Sequence, residues 1–428
     1  MRLPENHDQR FALANEIHAR PQEAVQPPAR ASYLAVMIDA DERDREHAHV
    51  AALCQRYGAH PPPADATHFS SDLGPFRIAW ERHTEFSSYT FHTRGGSPKP
   101  FAEVAAGEVP ADWLAAIPGR TVVAAHAEIV DRAQPMLAAS EIAASFHGNY
   151  VVGAAVGGGA GSVFTDFRVH ADGFGRFLII ERALSRRQVG RTLQRLFEIE
   201  TYRTMALLAL PIARSIGPRL RAMEAELAEV ADRLADGAGT DEAMLEQLTG
   251  LAAKVESAIG ESRYRFGATV AYHDLVESRI AELREQRLPG TQTIAEFMAR
   301  RLSPAMATCK SVAQRLVELS SRVARANDLL ATRVGIVRER QNQDLLASME
   351  RRARLQLRLQ ETVEGLSIAA ITYYVAGLVG YVAKGLKASG VPIDADLTVA
   401  VAIPVVAVLV ALGVRSIRRS VAKAEGAG

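Results

Sequence analysis

The sequence predicts an α+β domain, sandwich-like in outline, followed by a long α-helical, coiled-coil stalk and a C-terminal two-helix transmembrane hairpin. Strand patterns separated by turn residues fill residues 1–183, and helical spacing without a strand pattern fills 184–362. Two uncharged apolar stretches, 365–383 and 397–414, follow. The predicted segments are the α+β domain at 1–183, the helical stalk domain at 184–362, transmembrane helices at 363–383 and 397–414, an external loop at 384–396 and a cytoplasmic tail at 415–428.

Strand and turn signals define the first half of the α+β domain. The apolar run 33–38 is typical of a buried strand, and the acidic start and helical spacing of 39–58 predict a helix that Gly58 ends. Residues 77–83 and 86–92 alternate apolar and polar side chains across a short turn. This alternation predicts a β-hairpin.

The second half of the α+β domain is predicted to hold one more strand and a three-stranded meander. Residues 121–130 form the strand, and 150–156, 162–169 and 175–181 form the meander, whose last turn is an Asp-Gly pair. The glycine run GGGAG between the first two meander strands has no following Lys-Ser/Thr and precedes a strand rather than a helix. It therefore predicts a turn and not a phosphate-binding loop.

Helical spacing recurs through the stalk, with breaks near Pro211, 237–239 and 289–290. Apolar residues spaced by three or four form an a/d seam, which is typical of a coiled coil. The seam slips through the polar stretch 338–344 and then runs without a proline into the first apolar stretch. One long helix is therefore predicted to enter the membrane. The seam residues are Leu316, Leu319, Val323, Ala326, Leu330, Val337, Leu345, Met349, Leu355, Leu359, Val363 and Leu366.

The two apolar stretches, of 19 and 18 residues, have about the length that a helix needs to cross roughly 30 Å of hydrocarbon. Eight basic residues flank them on one side, against Lys384 and Lys387 in the loop on the other. The positive-inside bias then predicts a protein of the inner (plasma) membrane with two spans and both termini in the cytoplasm. The first 21 residues lack the apolar core of a signal peptide, so we expect a cytoplasmic body. The eight basic residues are Arg351, Arg352, Arg354, Arg358, Arg415, Arg418, Arg419 and Lys423.

Charge and histidine spacing argue against several classes of function. With 50 basic and 49 acidic residues, no global positive field points to nucleic acid. Eleven of the twelve histidines lie in the first 170 residues, without CxxC or HExxH spacing, so scattered hydrogen-bonded histidines are expected rather than a metal site. His83 and Glu85 could support acid–base chemistry, but they fall at the predicted hairpin turn, where polar residues are common. We expect no catalytic residue, metal or cofactor and no enzymatic activity.

The apolar seam extends into the first membrane span. It continues at spacings of three or four, so one helical face joins the stalk to the span. Glycines on this face allow another helix to approach closely, which favours a homo-oligomer. The face is predicted to pack helices or to line a pore, and its residues are Ala370, Tyr373, Gly377, Gly380 and Lys384.

Five long motifs carry a resemblance to a known family. They are NEIHARP (15–21), WERHTEFSSYTFH (80–92), TDFRVHADGFGR (165–176), GRTLQRLFEIETYRTMALLALPIAR (190–214) and the stretch 341–386. Together they resemble a bacterial family of uncharacterised membrane-anchored proteins, a domain of unknown function. The resemblance implies a membrane location and no assigned activity. Within NEIHARP, His18 and Arg20 are expected to make hydrogen bonds or ion pairs and to bind no metal.

The predicted architecture also resembles that of CorA-type magnesium channels, which are pentamers with a cytoplasmic α/β domain, a long helix and two C-terminal spans. Their Gly-Met-Asn hallmark is absent, because 380–384 read GYVAK, and a ring of Lys384 side chains would repel divalent cations. The leading hypothesis is an oligomeric membrane-anchored structural or signalling protein bound to the lipid bilayer. The alternatives are a CorA-like ion channel or transporter with altered selectivity, and a membrane-tethered enzyme that uses the histidine-rich N-terminal domain.

Overall fold

A computed structural model describes residues 4–11, 13–14, 23–131, 137–389 and 392–425, with side chains as far as residue 416. The chain divides into two compact units, Met1–Asn327 and Asp328–Gly428. The motif at 15–21, with His18 and Arg20, lies outside the described residues, so the expectation for these two side chains stays a prediction.

Strands of the first unit pair into one mixed sheet. Its described strands are β1 (Ala29–Met37), β2 (His68–Asp72), β3 (Arg77–Arg82), β4 (Phe86–Arg94), β5 (Arg120–Val130), β6 (Val152–Val156), β7 (Gly161–Thr165), β8 (Gly175–Glu181) and β9 (Gln286–Arg287). Their order is β2-β3-β4-β1-β5-β8-β7-β6-β9. Neighbours are antiparallel except β5 and β8, which are parallel. The predicted hairpin (β3–β4) and meander (β6–β7–β8) are confirmed.

The short strand β9 corrects the prediction that no strand follows residue 184. Its residues Gln286 and Arg287 pair with Ala155 and Ala154 of β6. A strand of two residues carries no alternation of apolar and polar side chains, so the sequence pattern could not reveal it. The pairing occupies the backbone edge that β6 would otherwise expose.

The described chain also forms a set of α-helices. They are α1 (Arg43–Arg56), α2 (Ala111–Ala115), α3 (Ala139–Ser145), α4 (Arg186–Leu207), α5 (Ala209–Asp236), α6 (Asp241–Leu283), α7 (Ile294–Arg301), α8 (Ser303–Ala388) and α9 (Ala395–Glu425). Ser185 caps α4 through a capping box with Gln188, and Gly237 ends α5 in the left-handed conformation at φ 66°. The predicted helix breaks near Pro211, 237–239 and 289–290 are therefore confirmed.

Helices cover both faces of the β1–β4 half of the sheet. On one face, Ala31 and Tyr33 of β1 pack in a core with Leu193 and Leu196 of α4. On the other face, apolar side chains of β3 and β4 pack with α1 and α2. The alternation of side chains along each strand produces these two cores, because successive residues point to opposite faces. The prediction of a mixed α+β domain is confirmed.

The first part of α8 packs with α5 and α6 in a helical bundle. Arg315 Nε donates to Glu224 Oε1 of α5 at 3.1 Å, and Ser320 Oγ donates to Glu256 Oε1 of α6 at 3.3 Å. The start of the predicted seam is thus buried inside this chain and needs no partner chain. The buried bundle residues include Ile216, Leu220, Met223, Leu227 and Val230 of α5, Met244, Leu248, Leu251, Val255 and Ala258 of α6, and Met306, Cys309, Val312, Leu316, Leu319 and Val323 of α8.

The second unit contains the remainder of α8 and α9, two helices long and apolar enough to cross a membrane. Thr372, Ala376 and Ala383 of α8 are buried at helical spacing and so share one face. Gly380 lies on the same face, and a Cβ added there would meet Val399 Cγ2 of α9 at 3.1 Å. Small residues therefore let α8 and α9 approach closely.

Candidate functional site

A cavity of about 70 Å³ lies between one face of the sheet and α4. Alternate residues of the β3–β4 hairpin line it, because side chains two apart share a face of a strand. Residues of α4 spaced by three or four close the other side. The lining includes Glu81, His83, Phe86, Ser88, Thr90 and His92 of the hairpin, Tyr33 of β1, Glu23 and Val25, and Gly190, Leu193, Gln194, Phe197, Glu198, Thr201 and Tyr202 of α4.

The chain segment before β1 closes one side of the cavity where it crosses α4. Gly190 makes the crossing possible, since a Cβ at this position would lie 1.8 Å from the Glu23 carbonyl oxygen. The Val25 backbone N–H also donates to the Arg186 carbonyl at 3.1 Å. A glycine within α4 weakens the helix locally but brings Glu23 to the cavity.

Glu23 is held at the cavity by residues of neighbouring strands. Arg77 Nε donates to Glu23 Oε1 at 2.9 Å, and the Ser70 hydroxyl donates to the same oxygen. The other carboxylate oxygen, Oε2, lies 3.9 Å from His92 Nε2. Glu23 therefore keeps one oxygen directed toward His92.

His92 is the most unusual polar group of the cavity. Burial lowers the pKa of its imidazole, and this effect outweighs the nearby Glu23 carboxylate. Its Nδ1 atom is buried and has no hydrogen-bond partner among the described residues. A buried polar nitrogen without a partner is costly and calls for an explanation.

Two further carboxylates reach the cavity. Glu81 lies 3.7 Å from His83 Nε2. Glu198 of α4 accepts from Gln194 Nε2 at 3.0 Å and pairs with Arg279 of α6, yet burial raises the pKa of this carboxyl above its usual range. Carboxylates from three separate parts of the chain thus converge on one small space.

Aromatic rings form much of the cavity wall. The rings of Tyr33 and Phe197 stack with centroids 4.7 Å apart, and His83 stacks on Phe86 at 4.4 Å. Thr201 Oγ1 donates to the Tyr33 hydroxyl at 2.9 Å, and burial raises the pKa of that phenol strongly. The wall therefore combines apolar ring faces with neutral hydroxyl groups.

Glu85, at the tip of the hairpin, joins the sheet to α6. Arg265 Nη2 donates to its two oxygens at 2.5 and 2.6 Å, and the Tyr272 hydroxyl donates at 3.2 Å. Burial alone would raise the pKa of Glu85, but the hydrogen bonds from Arg265, Tyr264 and Tyr272 outweigh it and the net pKa is lowered. Glu85 is therefore a buried structural anion, as its position at a polar turn allows.

The same hairpin binds a buried carboxylate on the opposite face of the sheet. Glu46 of α1 is fully buried and accepts from Trp80 Nε1 at 2.7 Å, Tyr89 at 3.1 Å and Arg82 Nε at 3.2 Å. Residues of the motif at 80–92 thus alternate between fixing α1 and lining the cavity. Each set lies on one face of the strands.

A second group of histidines lies near β8. His170 Nε2 is 3.0 Å from Asp166 Oδ2, and His170 Nδ1 is 3.3 Å from His147 Nδ1. His126 Nδ1 is 2.8 Å from the Ser32 hydroxyl, and burial lowers the pKa of His126 to about 4. These histidines pair with polar neighbours, as the sequence predicts for scattered histidines.

One described group has ligand atoms close enough to hold a metal ion. His273, Asp274 and Glu277 of α6 place their ligand atoms within 4.8 Å of one another, and the two acidic residues are exposed. Lys310 lines the groove that His273 and Asp274 also line, which adds a positive charge beside them. The spacing of His273 and Glu277 is that of an ordinary i,i+4 pair on a helix surface.

The residues predicted to pack helices or line a pore lie in the second unit. Ala370, Tyr373, Gly377 and Lys384 are exposed, and Gly380 faces α9. No sequence motif marks the cavity residues Glu23, His92 and Glu198 as a group. The polar side chains at every second position of the β3–β4 hairpin were the available signal.

Comparison with known proteins places the chain in a family but assigns no activity. Residues 5–421 match the family described as "Protein of unknown function (DUF3422)", and the chain belongs to this family. The resemblance to an uncharacterised family is thus confirmed. No curated protein and no solved structure matches the chain. Two of the five motifs that carried the resemblance, those at 80–92 and 190–214, contribute residues that line the cavity.

Proposed function

We propose that this member of a family of unknown function is an integral protein of the bacterial inner membrane, with two spans and a cytoplasmic α+β domain. It acts as an oligomeric structural or signalling protein. One observation carries the proposal: α8 and α9 leave large apolar side chains exposed over a length that matches a bilayer.

The exposure pattern argues against two core helices of a soluble protein. Only 17 % of the most apolar 18-residue stretch of α8 is buried, and none of the corresponding stretch of α9 is buried. Tyr373, Leu378, Tyr381 and Leu397 are each at least 67 % exposed. Burying apolar surface is worth about 25 cal/mol per Å², so an aqueous solvent would strongly disfavour this arrangement. A lipid environment removes the cost.

The orientation rests on the asymmetry of basic residues. Arginines precede the first span and follow the second, while the loop between them holds Lys384 and Lys387 with Asp394 and Asp396. The positive-inside bias then places the first unit and the C-terminal tail in the cytoplasm. The loop faces the opposite side.

A heptad seam in α8 supports an oligomer of parallel chains. Leu345, Met349, Leu359, Val363 and Leu366 fall on a spacing of four and three that Arg352 and Gln356 fill at its middle, and all seven positions are exposed. The flanking charges Glu350, Arg351, Arg354, Arg358 and Glu361 lie away from this seam. Because every copy would be anchored in the same bilayer, neighbouring copies would lie parallel with equivalent residues at the same height. The seam of one copy would therefore pack against the seam of a second copy. Cysteine pairs at Leu359 and Leu366 should therefore crosslink between chains.

Membrane extraction tests the anchor. The full chain should stay with membranes after washing at high pH and dissolve only in detergent. A chain truncated before Thr362 should appear in the soluble fraction, because the apolar exposed helices are gone. Release of the full chain by alkaline washing would overturn the membrane proposal.

The transport and enzyme alternatives have less support. Few polar side chains line the first span, and Thr372 is buried away from the face that Tyr374 and Tyr381 expose. Glu85 is held by Arg265 and Tyr272, which occupy the oxygens that a general base would use. Ion flux in proteoliposomes that the full chain alone produces would favour the channel alternative.

A further inference from the structure

We propose that the cavity between the β3–β4 hairpin and α4 binds a small organic cation, a protonated amine on a short apolar skeleton. This inference goes beyond the proposed function and does not depend on the membrane location. Four properties of the cavity support it: its charge, its acceptor atom, its aromatic wall and its size.

The lining is rich in negative charge. Glu23, Glu81 and Glu198 contribute carboxylates, and the described lining contains no lysine or arginine. Arg77 and Arg279 bind Glu23 and Glu198 without lining the cavity. With these two arginines counted, one negative charge remains, so the cavity favours a cation over an anion, and the low dielectric of a buried site strengthens that preference.

His92 supplies an acceptor that is free of a partner. Its low pKa keeps the imidazole neutral, and Glu23 Oε2 at 3.9 Å from Nε2 favours the tautomer with the proton on Nε2. Nδ1 then carries a lone pair that no described residue satisfies. An N–H group of a bound ammonium would satisfy this nitrogen.

The apolar part of the ligand would contact rings. Phe86, Phe197 and Tyr202 present aromatic surface to the cavity, and Leu193 and Val25 add aliphatic surface. Aromatic faces attract cations through their negative quadrupole and also accept short carbon chains. The wall thus suits an amine with a small apolar body better than an inorganic cation.

The volume limits the size of the ligand. A buried water needs about 10–15 Å³ of such space, so the cavity of about 70 Å³ has room for roughly five non-hydrogen atoms. Butylammonium has this size. Butanol and butyrate have nearly the same shape but are neutral and negative, which makes the three a matched series.

Calorimetric titration of the full chain in detergent with butylammonium, butanol and butyrate tests the proposal. Butylammonium should bind at least tenfold more tightly than butanol, and butyrate should not bind. Failure of butylammonium and of its four- to six-atom homologues to bind would overturn the proposal, as would equal affinity for butanol. The wild-type series needs no variant to fold, and its outcome is independent of the membrane extraction experiment.

Substitutions then locate the site. Glu81→Gln keeps the shape of the side chain but removes its charge, so it should weaken butylammonium binding at least tenfold. Glu108→Gln makes the same change at an exposed position outside the cavity and should leave binding unchanged. Thermal unfolding of both variants without ligand checks that they fold. Equal affinity of folded Glu81→Gln and wild type, or equal loss in Glu108→Gln, would place the ligand elsewhere and overturn the proposal.

Discussion

The two units of the molecule place their large apolar side chains in opposite environments. In the first unit, Leu53, Trp80 and Tyr89 have no exposed surface, whereas Tyr373 and Tyr381 of the second unit are more than three-quarters exposed. Two buried carboxylates of the first unit have cationic partners, Arg82 for Glu46 and Arg265 for Glu85. The difference shows that the first unit has a core of its own, and it supports the proposal that lipid surrounds the second.

The largest effect is expected where a buried charge of the first unit loses its partner. Arg265→Met leaves the Glu85 carboxylate without its cation, and the two side chains are only 12 % and 9 % exposed. Breaking such a pair costs about 3–5 kcal/mol. Urea unfolding of the full chain in detergent measures the loss through the fluorescence of Trp80 and Trp113, which both lie in the first unit.

The double variant Glu85→Met with Arg265→Met is the control for this prediction. It leaves no buried charge, so it should lose less free energy of unfolding than Arg265→Met alone. Equal losses in the two proteins would mean that packing, and not the unpaired carboxylate, dominates at this position.

A matched pair of leucines compares the two units directly. Leu53→Ala removes a fully buried side chain and should lower the free energy of unfolding by about 3 kcal/mol. Leu378→Ala removes one that is 67 % exposed and should change the same tryptophan transition by less than about 0.5 kcal/mol. A large loss from Leu378→Ala would contradict the separation of the two units.

The stability of the first unit should fall in mild acid because of His126. Burial lowers the pKa of His126 to about 4, while the unfolded chain has the ordinary value near 6.5. Between these values the unfolded state binds a proton that the folded state lacks, so stability is lost as the pH falls from about 6.5 toward 4. The loss attributable to His126 should reach about 2 kcal/mol at pH 5.

Urea unfolding of wild type and His126→Gln at pH 7 and pH 5 measures this loss. The variant lacks the titrating imidazole, so its stability should fall by about 2 kcal/mol less than that of wild type over this range. Identical pH dependence of the two proteins would contradict the assignment.

Replacing two helical glycines by alanine should change the free energy of unfolding in opposite directions. Gly190→Ala forces a Cβ to within 1.8 Å of the Glu23 carbonyl, so it should lower the free energy of unfolding by about 1–3 kcal/mol. Gly250 lies within α6 with open space around it, and Gly250→Ala should raise stability by about 0.5–1 kcal/mol through helix propensity. Stabilisation by Gly190→Ala would mean that the segment before β1 does not cross α4 closely.

Much of the fold could be predicted because its signals are local. The hairpin β3–β4 alternates apolar and polar residues, and Gly237 marks the end of α5, so neighbouring residues carried the information. The sequence does not predict the strand β9, because two residues are too few to show an alternation of apolar and polar side chains. The spacing of apolar residues around Leu316 predicts that they pack against another helix. Spacing alone does not say whether that helix belongs to the same chain, as it does here, or to a second copy.

The cavity could not be predicted because it depends on contacts between distant parts of the chain. Glu23, Glu81 and Glu198 lie far apart in sequence and converge only when the segment before β1 crosses α4 at Gly190. His83 and Glu85 were singled out together, yet only His83 lines the cavity while Glu85 pairs with Arg265. Residues two apart on a strand lie on one face, but the turn between β3 and β4 separates these two.

The most direct test of the account measures the sidedness of the loop between α8 and α9. A reporter inserted at Ser389 should report the side opposite the cytoplasm, while reporters before Met1 and after Gly428 should both report the cytoplasm. A control variant replaces Arg415, Arg418 and Arg419 by glutamine. It weakens the charge asymmetry on which the proposed orientation depends. A cytoplasmic signal from Ser389, or an external signal from the C-terminus, would contradict the two-span arrangement.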